Sequence, residues 1–158
     1  MRENGLKPIA SFLIDHTKHD AGFYLTTIQD ISGRKIYTYD LRFRRPNCED
    51  YLDNPVIHTI EHILAVTIRN SEYSDLVLYF GPMGCRTGFD LLLVDIDYDQ
   101  AKELVIKSID KCQEFHDVPG TTAEECGNYK EHDLERAKQE LLKYKEIILS
   151  QKNNSPAK

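Results

Sequence analysis

From residue 35 to residue 44 the chain alternates, with Tyr37, Tyr39, Leu41 and Phe43 on one side of an extended backbone. Period-two alternation of this kind marks a half-buried antiparallel strand, one face against a core and the other turned away from it. Such a strand requires partners, and the sequence offers them. Residues 23–28 are aromatic and β-branched, and Ser32-Gly33 supplies a turn between the two runs. Residues 76–80 and 89–96 read as two further strands, joined by Gly81-Pro82-Met83-Gly84-Cys85-Arg86-Thr87-Gly88, a loop dense in turn formers. Between the strand pairs, Asn54-Pro55 has the chemistry of an N-cap followed by a first helical residue. The helix it opens is expected to stop near Asn70 and, being apolar on most sides, to be largely buried. Ala101, Leu104, Val105, Ile109 and Cys112 keep helical spacing within residues 99–115, and Leu134, Ala137, Leu141 and Ile148 do so in a last helix ending near Ser150. The expected fold is α+β: one antiparallel sheet covered on one side by helices, with its strand order left open.

The 158 residues suit a single domain spanning 1–158. A chain of this size buries roughly 70% of its unfolded surface and needs no disulfide staples. Its net charge of −6, with no basic run, argues against a nucleic-acid footprint or an anionic membrane surface. Apolar runs such as Leu91-Leu92-Leu93-Val94 fall far short of the ~18 residues of a membrane helix. Met1-Arg2-Glu3-Asn4-Gly5 lacks the apolar stretch of an export signal, so a cytoplasmic setting with reduced cysteines is expected. The polar tail 151–158 is expected to fray.

Chemistry concentrates in His58-Thr59-Ile60-Glu61-His62. At 3.6 residues per turn, His58 and His62 share one helix face and both imidazoles can reach one cation. Glu61 stands at the edge of that face, where a carboxylate can act on a ligand of the metal rather than on the metal. The pattern HxxEH is the inverted zinc-site motif. Two core histidines satisfied by their neighbours would be the plainer explanation. Two imidazoles and a carboxylate on a buried helix, however, carry a desolvation cost that a metal would justify. A third protein ligand is then needed, with one position left open. Cys126, Cys85, His16, His19, His116 and His132 are all candidates by type. Cys112 lies on an apolar stripe and reads as core; Cys48 lies in a polar loop. Cys85, between glycines and beside Arg86 in a strand-connecting loop, is in a setting that favours the thiolate and acid–base or nucleophilic work.

Five segments together resemble S-ribosylhomocysteine lyase, the LuxS family that makes the autoinducer-2 precursor. They are Ser11-Phe12-Leu13-Ile14-Asp15-His16-Thr17-Lys18, Asp40-Leu41-Arg42-Phe43, residues 58–65 around the HTIEH motif, residues 81–89 around PMGCRTGF, and residues 125–134 with ECGNYKEHDL. The resemblance implies His58, His62 and Cys126 as metal ligands, with one divalent metal per subunit. That metal would be ferrous iron, replaceable by zinc or cobalt. It implies Glu61 and Cys85 as the two acid–base groups, and Ser11, His16 and Arg42 as substrate-contacting positions. It further implies a homodimer with active sites at the interface, completed by the partner's N-terminal segment, and a four-stranded antiparallel sheet packed with helices. The implied reaction cleaves the thioether of S-ribosylhomocysteine by carbonyl migration and β-elimination, giving homocysteine and 4,5-dihydroxy-2,3-pentanedione without a redox cofactor. The chain departs from the family pattern at Asp90, where an aromatic is usual, at Arg45 and Gly81, and through residues 19–31. A small HxxEH zinc peptidase and a binding module with a closed structural metal site are the competing readings.

Overall fold

The computed structural model describes residues 5–157; residues 1–4, part of the stretch read for an export signal, and residue 158 of the tail lie outside that range. Four strands form one antiparallel sheet: β1 (Gly22–Ile31), β2 (Arg34–Arg42), β3 (Val77–Pro82) and β4 (Gly88–Val94), in the order β1-β2-β4-β3. Among the described residues there are three α-helices, α1 (Asn54–Arg69), α2 (Tyr98–Cys112) and α3 (Leu134–Ser150). The α+β expectation holds, and the strand order is now defined. β1 and β2 form a hairpin whose Ser32 and Gly33 both have positive φ, the geometry that matches strand twist in a two-residue turn. The chain then leaves the sheet through α1 and returns at the far edge as β3, so that β4 inserts between β3 and β2.

Alternation divides the sheet into two chemically different faces. Tyr39 and Leu41 of β2 and Phe89, Leu91 and Leu93 of β4 are fully buried on the inner face, with Phe23 stacked on Tyr39 and Phe80 on Phe89. Ile60, Ile63, Leu64 and Ile68 of α1, Val105 and Ile109 of α2, and Leu141 and Tyr144 of α3 complete one core with them. Tyr144 stacks on Phe43 at 4.0 Å between ring centres and donates its hydroxyl to the Gly22 carbonyl, so its one polar atom is satisfied inside the core. The other face of the sheet carries Thr38, Asp40, Arg42, Asp90 and Leu92, and among the described residues none of the α-helices lines it.

Helix and strand ends differ from expectation by a few residues, each for a local reason. The N-cap of α1 is Asp53, not Asn54, and Pro55 falls one position further in, still within the first turn where its missing N–H is not needed. Asp53 makes no capping bond through its side chain because its carboxylate is drawn 2.6 Å from Arg136 at the start of α3. α2 begins after Asp97, which forms a capping box with Gln100, and ends at Cys112 rather than continuing to residue 115. Leu76 belongs to a short 3-10 turn ahead of β3. After α3, the Gln151 side chain accepts from the Phe23 amide and donates to the Phe23 carbonyl, and the Ala157 carbonyl accepts from the Asp15 amide. Among the described residues no helix is long and apolar enough to cross a membrane.

Because α1 carries both core residues and the HTIEH motif, its seating on the sheet governs everything that follows. Ile60→Ala, at a position with no solvent exposure, should cost about 2–5 kcal/mol through lost burial and a residual cavity. Urea unfolding of the metal-free protein checks this; an unchanged midpoint would mean that α1 is not seated as described.

Candidate metal centre and active-site cavity

One turn of α1 separates His58 from His62, and their rings sit edge-to-face at 4.6 Å. Their imidazoles are held by the long connection 113–133, which crosses over them. His58 donates from Nδ1 to the Glu131 carbonyl at 3.0 Å, and His62 donates from Nδ1 to the Pro119 carbonyl at 2.8 Å. A carbonyl can only accept, so both rings carry their proton on Nδ1 and present a bare Nε2. Both Nε2 atoms converge on Cys126, whose Sγ lies 3.3 Å from His58 and 3.8 Å from His62. Cys126 is brought there by a turn in which the Glu125 and Cys126 amides both donate to the Thr122 carbonyl.

A fourth donor completes the group. His132 stacks against His58 with ring centres 4.0 Å apart, and its Nδ1 lies 3.1 Å from Thr59 Oγ1. The proton on that bond can be assigned. Thr59 spends its only hydroxyl hydrogen on the Pro55 carbonyl and already accepts from the Asp133 amide, so His132 Nδ1 must donate. Its Nε2 is therefore also bare, and it is buried without a hydrogen-bond partner. Burial, and then the neighbouring His58 and His62, push the His132 pKa down to about 4, so the ring is neutral at physiological pH. The four donor atoms lie within 4.8 Å of one another. Three imidazoles, each oriented by a hydrogen bond at Nδ1, and one thiol form a donor set suited to a borderline-soft divalent cation. The Nε2 atoms of His58 and His62 facing the Cys126 sulfur fit a divalent cation, and the partnerless His132 Nε2 borders the same space.

Glu61 is half-buried on the same helix, beside His62. Cys85 lies elsewhere. The uncovered sheet face, the β3–β4 loop and the 3-10 turn Ala10–Leu13 enclose an open cavity of about 1130 Å³, lined among others by Ser11, His16, Arg42 and Cys85. Arg42 is almost fully buried in its wall and its charge is matched: Nε and Nη2 donate to the two oxygens of Asp40 at 3.1 and 2.7 Å. Nη1 donates to Thr87 Oγ1 at 2.8 Å and lies 3.8 Å from Cys85 Sγ, itself 3.0 Å from the same hydroxyl. Gly88 permits this arrangement, since a Cβ there would collide with the Leu41 carbonyl of β2.

The candidate ligands thus sort themselves spatially. Cys126 and His132 join His58 and His62, whereas Cys85 and His16 face the cavity. His19 is buried 3.1 Å from Asp40, and His116 is exposed. Cys112 is core, as its spacing implies, with burial pushing its thiol up to about 11; Cys48 is exposed. Sequence reasoning missed Asp40 and Thr87, which hold Arg42 and Cys85 in place. The available signal was slight: Asp40 and Arg42 occupy alternate positions on the polar face of β2, beside Thr38. Among the described residues none belongs to both cluster and cavity: the cluster sits on the helical side of the sheet and the cavity on its open side.

Residues 9–155 match the family model described as S-Ribosylhomocysteinase (LuxS). An S-ribosylhomocysteine lyase of Borreliella burgdorferi (strain ZS7) is 42% identical over 146 residues, covering 90% of this chain and 93% of that one. Proteins of the same name from Desulfotalea psychrophila and Phocaeicola vulgatus are 44% and 39% identical over 144 and 147 residues, covering 88% and 91% of this chain and 89% and 91% of theirs. The match runs through the four-donor cluster and the Cys85 cavity alike, and by it the chain belongs to the S-ribosylhomocysteinase (LuxS) family.

Proposed function

We propose that this chain is a metal-dependent carbon–sulfur lyase that cleaves S-ribosylhomocysteine to homocysteine and 4,5-dihydroxy-2,3-pentanedione, the autoinducer-2 precursor. The observation that carries the reading is the pairing, in one chain of this family, of a convergent imidazole–thiol cluster beside a carboxylate with a separate cavity holding a cysteine and an arginine. His58, His62 and Cys126 would hold the ion, with ferrous iron the preferred metal and zinc or cobalt able to replace it. When bound, a divalent cation supplies Lewis-acid polarisation of the sugar carbonyl.

The remaining chemistry belongs to side chains. Expelling a thiolate from C5 of the open-chain sugar requires the carbonyl to migrate until it is β to the C–S bond. Each shift takes a proton from a carbon α to the carbonyl and returns one at the next carbon. Glu61 and Cys85 would do this from different sides of the substrate, so protons can leave and arrive without the substrate turning over. Arg42, held rigid by Asp40, and Ser11 and His16 of the N-terminal segment position the sugar and its tail. The proton-transfer groups of one chain lie on opposite sides of its sheet. We therefore assign each active site to two chains of a homodimer: the cluster and Glu61 from one, and Cys85, Arg42, Ser11 and His16 from its partner. Ile9 and Phe12 in the cavity lining expose more than half their surface and Tyr79 about half, with the exposed Leu13 and Leu78 next to them in sequence, an apolar rim of the kind that a second subunit covers. The reaction consumes a small intracellular metabolite, in keeping with a cytoplasmic enzyme.

Thiol release from S-ribosylhomocysteine is the direct test, and its absence from the metal-loaded protein would overturn the lyase reading. Two sets of variants and one mixing experiment refine it. His58→Ala, His62→Ala and Cys126→Ala should each lose bound metal and activity together, with Cys126→Ala also losing the sulfur-to-metal charge-transfer absorption of the cobalt form; full metal occupancy in Cys126→Ala would move the thiolate ligand elsewhere. Glu61→Gln and Cys85→Ala should keep metal while losing about 10²–10⁴ in rate, the usual worth of a positioned general base. Mixing these last two inactive variants and allowing subunits to exchange should restore roughly a quarter of the wild-type rate, because half the dimers then contain one intact composite site. No recovery, with exchange confirmed by mass, would place Glu61 and Cys85 of each site in the same chain.

A further inference from the structure

Inside the Cys85 cavity, two carboxylates stand side by side. Asp40 and Asp90 are direct partners across β2 and β4, both on the uncovered face. They differ in what they meet. Asp40 is buried and fully engaged, with two bonds from Arg42 and a third contact to His19. Arg42 is therefore neutralised and its remaining amino group is spent on Thr87. Among the described residues the half-buried Asp90 carboxylate makes no hydrogen bond or ion pair, and the cation that acts on it, Arg42, is already bonded to Asp40. Burial, and behind it the charge of Asp40, raises its pKa above the ordinary carboxylate value, while Arg42 works against that rise. The wall thus carries one carboxylate without a bonded partner.

The surroundings of Asp90 are built for it. On its other side Asp90 pairs with Gly81 of β3, and a Cβ at Gly81 would collide with the Tyr79 phenol, which lies across that glycine. Two departures from the family pattern, Gly81 in place of a common serine and Asp90 in place of an aromatic, are therefore neighbours on adjacent strands. One removes a side chain so that Tyr79 can fold over the floor, and the other adds a carboxylate beside it. Together they open a polar niche bounded by a phenol and an acid.

On the reading that the substrate is S-ribosylhomocysteine, that molecule carries one cation, the α-ammonium of its homocysteine end, while its sugar end is neutral. The geometry points to Asp90 as the residue that receives this ammonium group, fixing the amino-acid end of the substrate and making the enzyme selective for thioethers with a free α-amine. Asp90 is a binding and specificity residue in this assignment; the reacting carbons belong to Glu61 and Cys85.

The test compares two substrates on each enzyme preparation: S-ribosylhomocysteine and its desamino counterpart, the S-ribosyl thioether of 4-sulfanylbutanoate. A charge-assisted hydrogen bond in a half-buried site is worth about 10–100-fold, so the wild-type enzyme should prefer the amine-bearing substrate by that factor in kcat/KM. Asp90→Asn should lose a similar factor on the natural substrate, mostly in KM because the contact is equal in ground and transition states, and should no longer distinguish the two. Asp90→Glu should restore part of the preference. A ratio of substrates on one preparation is insensitive to the fraction folded, so poor folding of a variant does not obscure the result. If Asp90→Asn discriminates as well as wild type, or if wild type shows no preference, the assignment is overturned while the lyase reading stands. If the wild-type enzyme releases thiol from neither compound, the lyase reading falls and this assignment with it.

Discussion

Two hydrogen bonds, from the Nδ1 atoms of His58 and His62 to the carbonyls of Glu131 and Pro119, hold the functional half of this molecule together. The connection 113–133 is longer than most loops of a compact domain and has no helix or strand to order it. Its carbonyls near the helix need donors, and the helix histidines need their tautomers fixed. Each requirement satisfies the other. The same bonds that pin the loop leave both Nε2 atoms unprotonated and carry Cys126 and His132 to within reach of them. His132 extends the scheme through Thr59, whose hydroxyl is fully committed and so dictates the proton on the ring. Ligand preparation and loop folding are one event.

The opposite face of the sheet is organised by a different constraint, the cost of burying a guanidinium. Arg42 and Asp40 are both almost inaccessible, and each alone would carry a desolvation penalty of several kcal/mol. Paired through two bonds they make a rigid plate in the cavity floor. Thr87 fastens that plate to the β3–β4 loop and so to Cys85. Arg45, another departure from the family pattern, ties the N-terminal segment to the same region by an ion pair with Asp20 at 3.2 Å and a bond to the Thr17 carbonyl. Positioning in this half comes from charge pairing, where the cluster half relies on tautomer locking.

How much of this could be read from the sequence follows from where the signal resides. Tyr37, Tyr39, Leu41 and Phe43 announce β2 because core burial writes a period into the chain, and HTIEH announces the cluster because two ligands lie one turn apart on one helix. Cys126 and His132 could not be ranked against His16, His19 or His116 by spacing, since they reach the cluster through an irregular loop whose path depends on the carbonyls that the histidines select. The N-cap shift from Asn54 to Asp53 depends on an ion pair to Arg136, far along the chain. Asp40 was visible only as one more polar residue on an outward face; its role depends on Arg42, Thr87 and His19 meeting it in three dimensions. Periodic burial and local spacing are legible in one dimension, and long-range polar pairing is not.

Placing the two halves on opposite sides of one sheet has a consequence for how such a chain can evolve. The cluster tolerates little change, because His58, His62, Cys126 and His132 share one small space and the Nδ1 of each ring is held by a hydrogen bond. The cavity is open and lined by residues of all four strands, so substitutions there alter shape and charge without disturbing the tautomer network. The departures at Gly81 and Asp90 fall on this tolerant side, at paired positions of β3 and β4, where removing one side chain makes room for the ring that borders the other. A glycine that would be only a weakness in an isolated strand becomes, beside Tyr79 and Asp90, the means by which substrate contacts can change while the proton-transfer groups stay where they are.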